Sequence, residues 1–181
     1  MIAVDLKRYV VDVADFPRPG ILFRDVMPLL RHHLAATVTA LDALFSDVEW
    51  AAVDAVAGIE SRGFVLAGAL AARRDKGFVA IRKQGKLPPP VVELAYALEY
   101  GSGVLEMQRG SGRMLILDDV LATGGTLRGA AELAGIAGYQ VCGLGVLIDL
   151  RLTGAFQWRS LPLRAVMDYG AEHGYYGAEH G

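Results

Sequence analysis

Between Met114 and Ala130 the chain reads MLILDDVLATGGTLRGA, an apolar run, two adjacent acids, a loop of small residues and a helical repeat in immediate succession. Met114, Leu115, Ile116 and Leu117 form the continuous hydrophobic run expected of a strand covered on both faces, as in a parallel sheet. Leu127, Ala130, Ala131, Ala134 and Ala137 then recur at helical spacing. A strand followed so closely by a helix confines the chain to an α/β design, in which ligands bind in the crevice beyond the carboxyl ends of the strands. Asp118 and Asp119 stand where this strand is expected to enter that crevice.

The loop chemistry points to a sugar phosphate. Ala122, Thr123, Gly124, Gly125 and Thr126 are all small, so a ligand can approach the backbone, and the glycines permit backbone angles that other residues resist. The first free N–H groups of the following helix and its dipole favour a phosphate, to which threonine hydroxyls add donors. The two carboxylates suit ribose hydroxyls, which donate to them. A nucleoside-triphosphate P-loop needs Lys and then Ser or Thr after its glycines, whereas Gly125 is followed by Thr126 and Leu127; a G-x-G-x-x-G fingerprint is also absent at this turn. An ordinary strand-to-helix turn accounts for the glycines but not for the acid pair directly before them.

Read in order, residues 4–13 suit a short helix, and Pro17, Pro19 and Gly20 mark a turn. Residues 28–45 show helical spacing at Leu30, Leu34, Val38, Leu41 and Leu44. Strands are expected at 53–59 and 78–82 with a helix from about 64 to 74 between them, and further strands at 140–150 and 163–168. Pro88, Pro89 and Pro90 exclude a central strand or helix over 84–95, so a long loop is expected there. Alternating strands and helices with right-handed crossovers imply a mainly parallel, twisted sheet flanked by helices in one domain, residues 1–181. Within it, about 1–49 form N-terminal helices and a small hood, about 50–169 the core, and about 170–181 a glycine-rich tail.

Two further strand ends carry polar groups. Gly58 to Phe64 again separates a buried strand from a helix, so its backbone N–H groups and Arg62 can meet an anion, or Glu60, Ser61 and Arg62 form a helix cap with a surface ion pair. Arg82, Lys83 and Lys86 gather positive charge, which by itself reads as a solvated basic turn. Hydrophobic residues make up 53% of the chain and charged residues 21%, which excludes disorder throughout. A net charge of −2 gives no reason to expect nucleic acid or a membrane as partner. With Cys142 alone no intrachain disulfide is possible, and the N-terminus lacks a secretory pattern, so a cytoplasmic protein is expected.

The run LDDVLATGGT resembles the phosphoribosyl pyrophosphate signature of type I phosphoribosyltransferases. FPRPGILFRDVMPLL, GIESRGFVLAGALA, FVAIRKQGKLP and ELAYALEYG resemble the adenine-specific branch of that family in order and spacing, from about Phe16 to about Gly145. The resemblance implies transfer of a phosphoribosyl group to adenine, giving AMP and pyrophosphate in purine salvage, by a homodimer with a flexible lid loop. It implies Mg2+ as cofactor, held mainly by substrate and water with no direct protein ligand. Asp118 and Asp119 would contact the ribose, and Ala122 to Thr126 the 5-phosphate. Glu60, Ser61, Arg62, Arg82, Lys83 and Lys86 would serve the pyrophosphate, with a non-proline cis peptide between Glu60 and Ser61. Glu99 would handle a purine proton beside Tyr100 in the lid, although a Glu at a strand edge can equally sit in solvent. Leu22, Phe23 and Arg24 would hold the adenine, Phe23 by stacking, although Phe23 can equally be a core residue of the hood. Ala95 departs from the family, which commonly has Ser before the position of Tyr96.

The same sugar-phosphate site would serve an enzyme for another purine, or a non-catalytic regulator that binds phosphoribosyl pyrophosphate. GAEHG occurs at Gly170 to Gly174 and again at Gly177 to Gly181, glycine-rich spacing that offers no preformed metal geometry. His32 and His33 read as one exposed and one buried helix residue.

Overall fold

The structure, a computed structural model, describes residues 5–98, 101–152 and 154–170. A 3-10 helix at Leu6–Tyr9 precedes an antiparallel hairpin of β1 (Val11–Ala14) and β2 (Leu22–Asp25). Helices α1 (Met27–Asp42) and α2 (Asp47–Ala51) lead into β3 (Ala55–Ile59), α3 (Arg62–Arg73) and β4 (Gly77–Lys83). There follow β5 (Val92–Leu98), β6 (Gly101–Met107), β7 (Arg113–Leu121), α4 (Gly125–Ala137), β8 (Gln140–Asp149), β9 (Gln157–Trp158) and β10 (Leu161–Asp168).

These strands make an eight-stranded sheet in the order β5-β6-β4-β3-β7-β8-β10-β9. The centre, from β4 to β10, is parallel, and antiparallel pairs lie only at the two margins. The uninterrupted apolar run of β7 has a simple cause, because both of its faces are covered. Leu115 and Leu117 join the core beneath α1 and α3, while Met114 and Ile116 join the core beneath α4. Each such fully buried side chain contributes about 1.5–3 kcal/mol relative to exposure. The alanines of α4 let that helix lie close to the sheet, and at Gly129 an added Cβ would come within 2.8 Å of Tyr96 Cβ. The β5–β6 hairpin thus curls onto α4.

The hood departs from the helix expected at 4–13. Helical structure ends at Tyr9, and the Val-Asp-Val alternation of β1 pairs with β2 instead. Tyr169, just beyond β10, anchors the hood, with Lys7 Nζ 4.2 Å and the Arg24 guanidinium 4.4 Å from its ring centroid. Arg24 also forms an ion pair with Asp12. The long loop expected over 84–95 stops at Val92, where β5 begins; the three prolines stay ahead of the strand, and β5 is a marginal strand, the position where such residues are tolerated. His32 is exposed, and His33 is half-buried with its ring 4.0 Å from that of Tyr9.

Candidate active site

Parallel register brings three segments together. Gly58 pairs with Leu117 and Ile59 with Ile81, so β3, β4 and β7 end side by side. The turn after β3, the end of β4 and the acids of β7 therefore become neighbours. Gly58 is essential to this approach, since a Cβ there would lie 2.7 Å from the Gly63 carbonyl oxygen. Gly63 in turn sits against β7, where a Cβ would lie 3.1 Å from Asp118 Oδ1. The peptide bond between Glu60 and Ser61 is cis.

β7 continues through both acids to Leu121 rather than ending before them, so strand alternation divides the pair. Asp119, 7% exposed, meets Arg62 from α3 at 2.5 Å. Asp118 lines a cavity of about 90 Å3 with Leu121 to Leu127. Burial and the neighbouring Asp119 charge push the Asp118 carboxyl well above the usual carboxylate range, against the pull of Arg62. The two acids therefore sit in different surroundings although adjacent in sequence.

The small-residue loop closes this cavity at the start of α4. Gly124 has φ +84°, and an added Cβ would meet Phe156 Cε2 at 2.5 Å, so both conformation and space require glycine. Helix α4 begins at Gly125, and its first-turn N–H groups adjoin the cavity formed with Ala122, Thr123, Gly124 and Thr126.

On the other side of β3, Arg82 donates from Nε and Nη2 to Glu60 at 3.3 and 3.2 Å and from Nη1 to the Lys86 carbonyl at 3.1 Å. The Arg82 hydrogen bonds hold the Glu60 carboxyl below the usual carboxylate range despite its burial, aided by the Lys83 backbone N–H at 3.0 Å. Arg82 is therefore occupied with organising two loops, whereas Lys83, Lys86 and Ser61 are exposed. From the hood, the Phe23 ring lies 5.0 Å from the Arg62 guanidinium and edge-on to Phe16 at 5.1 Å. Arg62 thereby spans from Phe23 to Asp119. Leu22 and Arg24 flank Phe23 on β2, all half-buried. Glu99 and Tyr100 lie outside the described residues.

Residues 33–166 match the family described as a phosphoribosyl transferase domain. A protein of Hydrogenovibrio crunogenus named adenine phosphoribosyltransferase is 48% identical over 91% of this chain and 96% of its own length. The chain belongs to the adenine phosphoribosyltransferase family. The crystal structure of the Rhodothermus marinus adenine phosphoribosyltransferase, 41% identical, superposes with a TM-score of 0.80 over 90% of this chain and 96% of that one. The Saccharomyces cerevisiae enzyme, solved with adenine and an imino-altritol bisphosphate, is 31% identical with a TM-score of 0.78, over 90% and 96%. The curled mixed sheet is that of the type I phosphoribosyltransferases.

Sequence reasoning missed Glu106, a buried carboxylate on β6, and Phe156, which packs on Gly124. A lone Glu in an alternating strand and a Phe near Trp158 carry no signal of such contacts. Among the described residues no three His, Cys, Asp or Glu side chains cluster as a metal site, and no helix is long and apolar enough to cross a membrane.

Proposed function

We propose that this chain transfers the phosphoribosyl group of phosphoribosyl pyrophosphate to adenine, forming AMP and pyrophosphate with inversion at the anomeric carbon. The observation that carries the reading is the meeting of three anion-binding elements at adjacent strand ends: the cradle before α4, the Glu60–Arg62 turn, and the basic end of β4. The cradle from Ala122 to Thr126 takes the 5-phosphate on N–H groups and hydroxyls. Asp118 and Asp119 take the ribose hydroxyls, and Asp119 also fixes Arg62. Ser61, Arg62, Lys83 and Lys86 receive the pyrophosphate, with Arg82 and Glu60 holding the two loops in place.

As the C–N bond to adenine forms and the C–O bond to pyrophosphate breaks, positive charge develops on the ribose. Carboxylates beside it lower the barrier, and cations at the other end stabilise the leaving group. Phe23 offers a face on which the purine stacks, while backbone groups of Leu22 and Arg24 distinguish an amino-bearing edge from an oxo-bearing one. Glu99 handles the purine proton, with Tyr100 beside it. Mg2+ would be held mainly by substrate oxygens and water, with no direct protein ligand. When bound, magnesium would help neutralise the charge of the pyrophosphate.

The enzyme works in the cytoplasm as a homodimer. Support for the dimer comes from Met27, Leu34 and Val65, exposed apolar residues lining a groove of about 380 Å3 between α1 and α3. The catalytic reading is tested by incubating purified protein with phosphoribosyl pyrophosphate, Mg2+ and each of adenine, hypoxanthine, guanine and xanthine. AMP from adenine alone is expected. Another nucleotide as main product would reassign the base, and binding of the donor without product would make the chain a sensor.

A further inference from the structure

Glu106 on β6 is 1% exposed and stands opposite Arg82 in the β4–β6 register. A carboxylate so enclosed needs partners for its oxygens, and among the described residues its hydrogen-bond donors come from a single turn. Oε2 accepts the Gly85 N–H at 2.9 Å, and Oε1 accepts the Lys86 and Leu87 N–H groups, both at 2.6 Å. Gly85, at φ +79°, lets the chain curl so that these donors converge. The Lys86 carbonyl is held at the same time by Arg82 Nη1. Both backbone polar groups of Lys86 are thus fixed while its side chain stays exposed. Burial pushes the Glu106 carboxyl up, but the three N–H donors and the Arg82 charge outweigh it and hold the group below its usual range.

A turn whose amides converge in this way would itself attract an anion, and here the chain's own carboxylate fills it. The remaining cationic groups of the segment, the side chains of Lys83 and Lys86, are left to meet an external anion. We infer that Glu106 is a positioning residue for pyrophosphate, fixing the Gly85–Leu87 turn so that Lys83 and Lys86 engage the leaving group in one arrangement and tying that turn to the β5–β6 hairpin. The inference rests on the proposed phosphoribosyl transfer and names a residue outside the family signature on which it depends.

The test compares wild type with Glu106→Ala and the near-isosteric Glu106→Gln, each confirmed folded by circular dichroism. Amide hydrogen exchange reads the staple directly, with protection at Gly85, Lys86 and Leu87 expected to fall in Glu106→Ala. Titration with Mg2+-pyrophosphate reads its function. Loss of charge-assisted hydrogen bonds is expected to weaken that binding about tenfold to a hundredfold in Glu106→Ala and less in Glu106→Gln, while ribose 5-phosphate, bound at the α4 cradle, stays within about twofold. Unchanged pyrophosphate affinity in both variants, or equal weakening of both ligands, overturns the inference and leaves the catalytic reading standing. A wild-type protein that binds neither ligand overturns both.

Discussion

Asp118 and Asp119 show how one residue step changes chemistry. Both lie on β7, yet alternation sends one to the cavity before α4 and the other to Arg62. An Asn at position 119 keeps the shape but cannot balance the Arg62 charge or the charge developing on ribose. Asp119→Asn is therefore expected to lower kcat/KM for phosphoribosyl pyrophosphate on the order of a hundredfold or more, with the thermal midpoint nearly unchanged. Steady-state kinetics at several donor concentrations decide it, and near-normal rates would remove Asp119 from the mechanism. The acid pair and glycines were legible in sequence because their chemistry is local. The division of labour between the acids was not, since it depends on β7 running on to Leu121.

Among the elements, α2 has only five residues and is held by its ends. Ser46 and Glu49 cap it reciprocally, with the Ser46 N–H donating to Glu49 Oε2 at 2.8 Å, and Arg164 on β10 clamps the same carboxylate at 2.6 Å. The Arg164 bond, then the Ser46 donors, lower the Glu49 carboxyl to about 2. A depressed carboxylate stabilises the fold above its unfolded value, 4.5, and that contribution is lost as pH falls towards about 2. Wild type is thus expected to be more stable than Glu49→Gln near neutrality, with the gap shrinking between these pH values. Urea midpoints of both proteins at about pH 6 and pH 3 measure it, and a constant gap would refute the assignment; the partial exposure of the pair keeps its size modest. Strands β3, β7 and β8 were readable because buried parallel strands are apolar runs, and β4, although only Ile81 is fully buried, carries a short apolar run of its own. The β5–β6 hairpin was hidden by its prolines, and β1 by its position among exposed residues, where pairing with β2 rather than burial decides the conformation.

At the scale of the whole molecule, the exposed apolar groove between α1 and α3 is the surface on which a second copy is expected to dock. Val65, 46% exposed, lines it. Val65→Glu would place a charge there and is expected to convert the protein to a monomer in sedimentation velocity, with the far-ultraviolet dichroism unchanged. A variant that sediments like wild type would move the interface elsewhere. The overall architecture followed from the order of strand and helix signals, because parallel strands linked through helices allow few topologies. How far the outer strands roll was not legible, since it is set by a contact between residues far apart in the chain, Tyr96 and Gly129.

That contact reaches further than packing. Gly129 sits one turn into the helix whose opening residues border the Asp118 cavity, so the aromatic ring resting on it ties the sheet's outermost strand to the proposed seat of the sugar phosphate. A methyl group at position 129 would act as a wedge, prising the hairpin outward and disturbing the donor's seat without touching a single atom of the substrate.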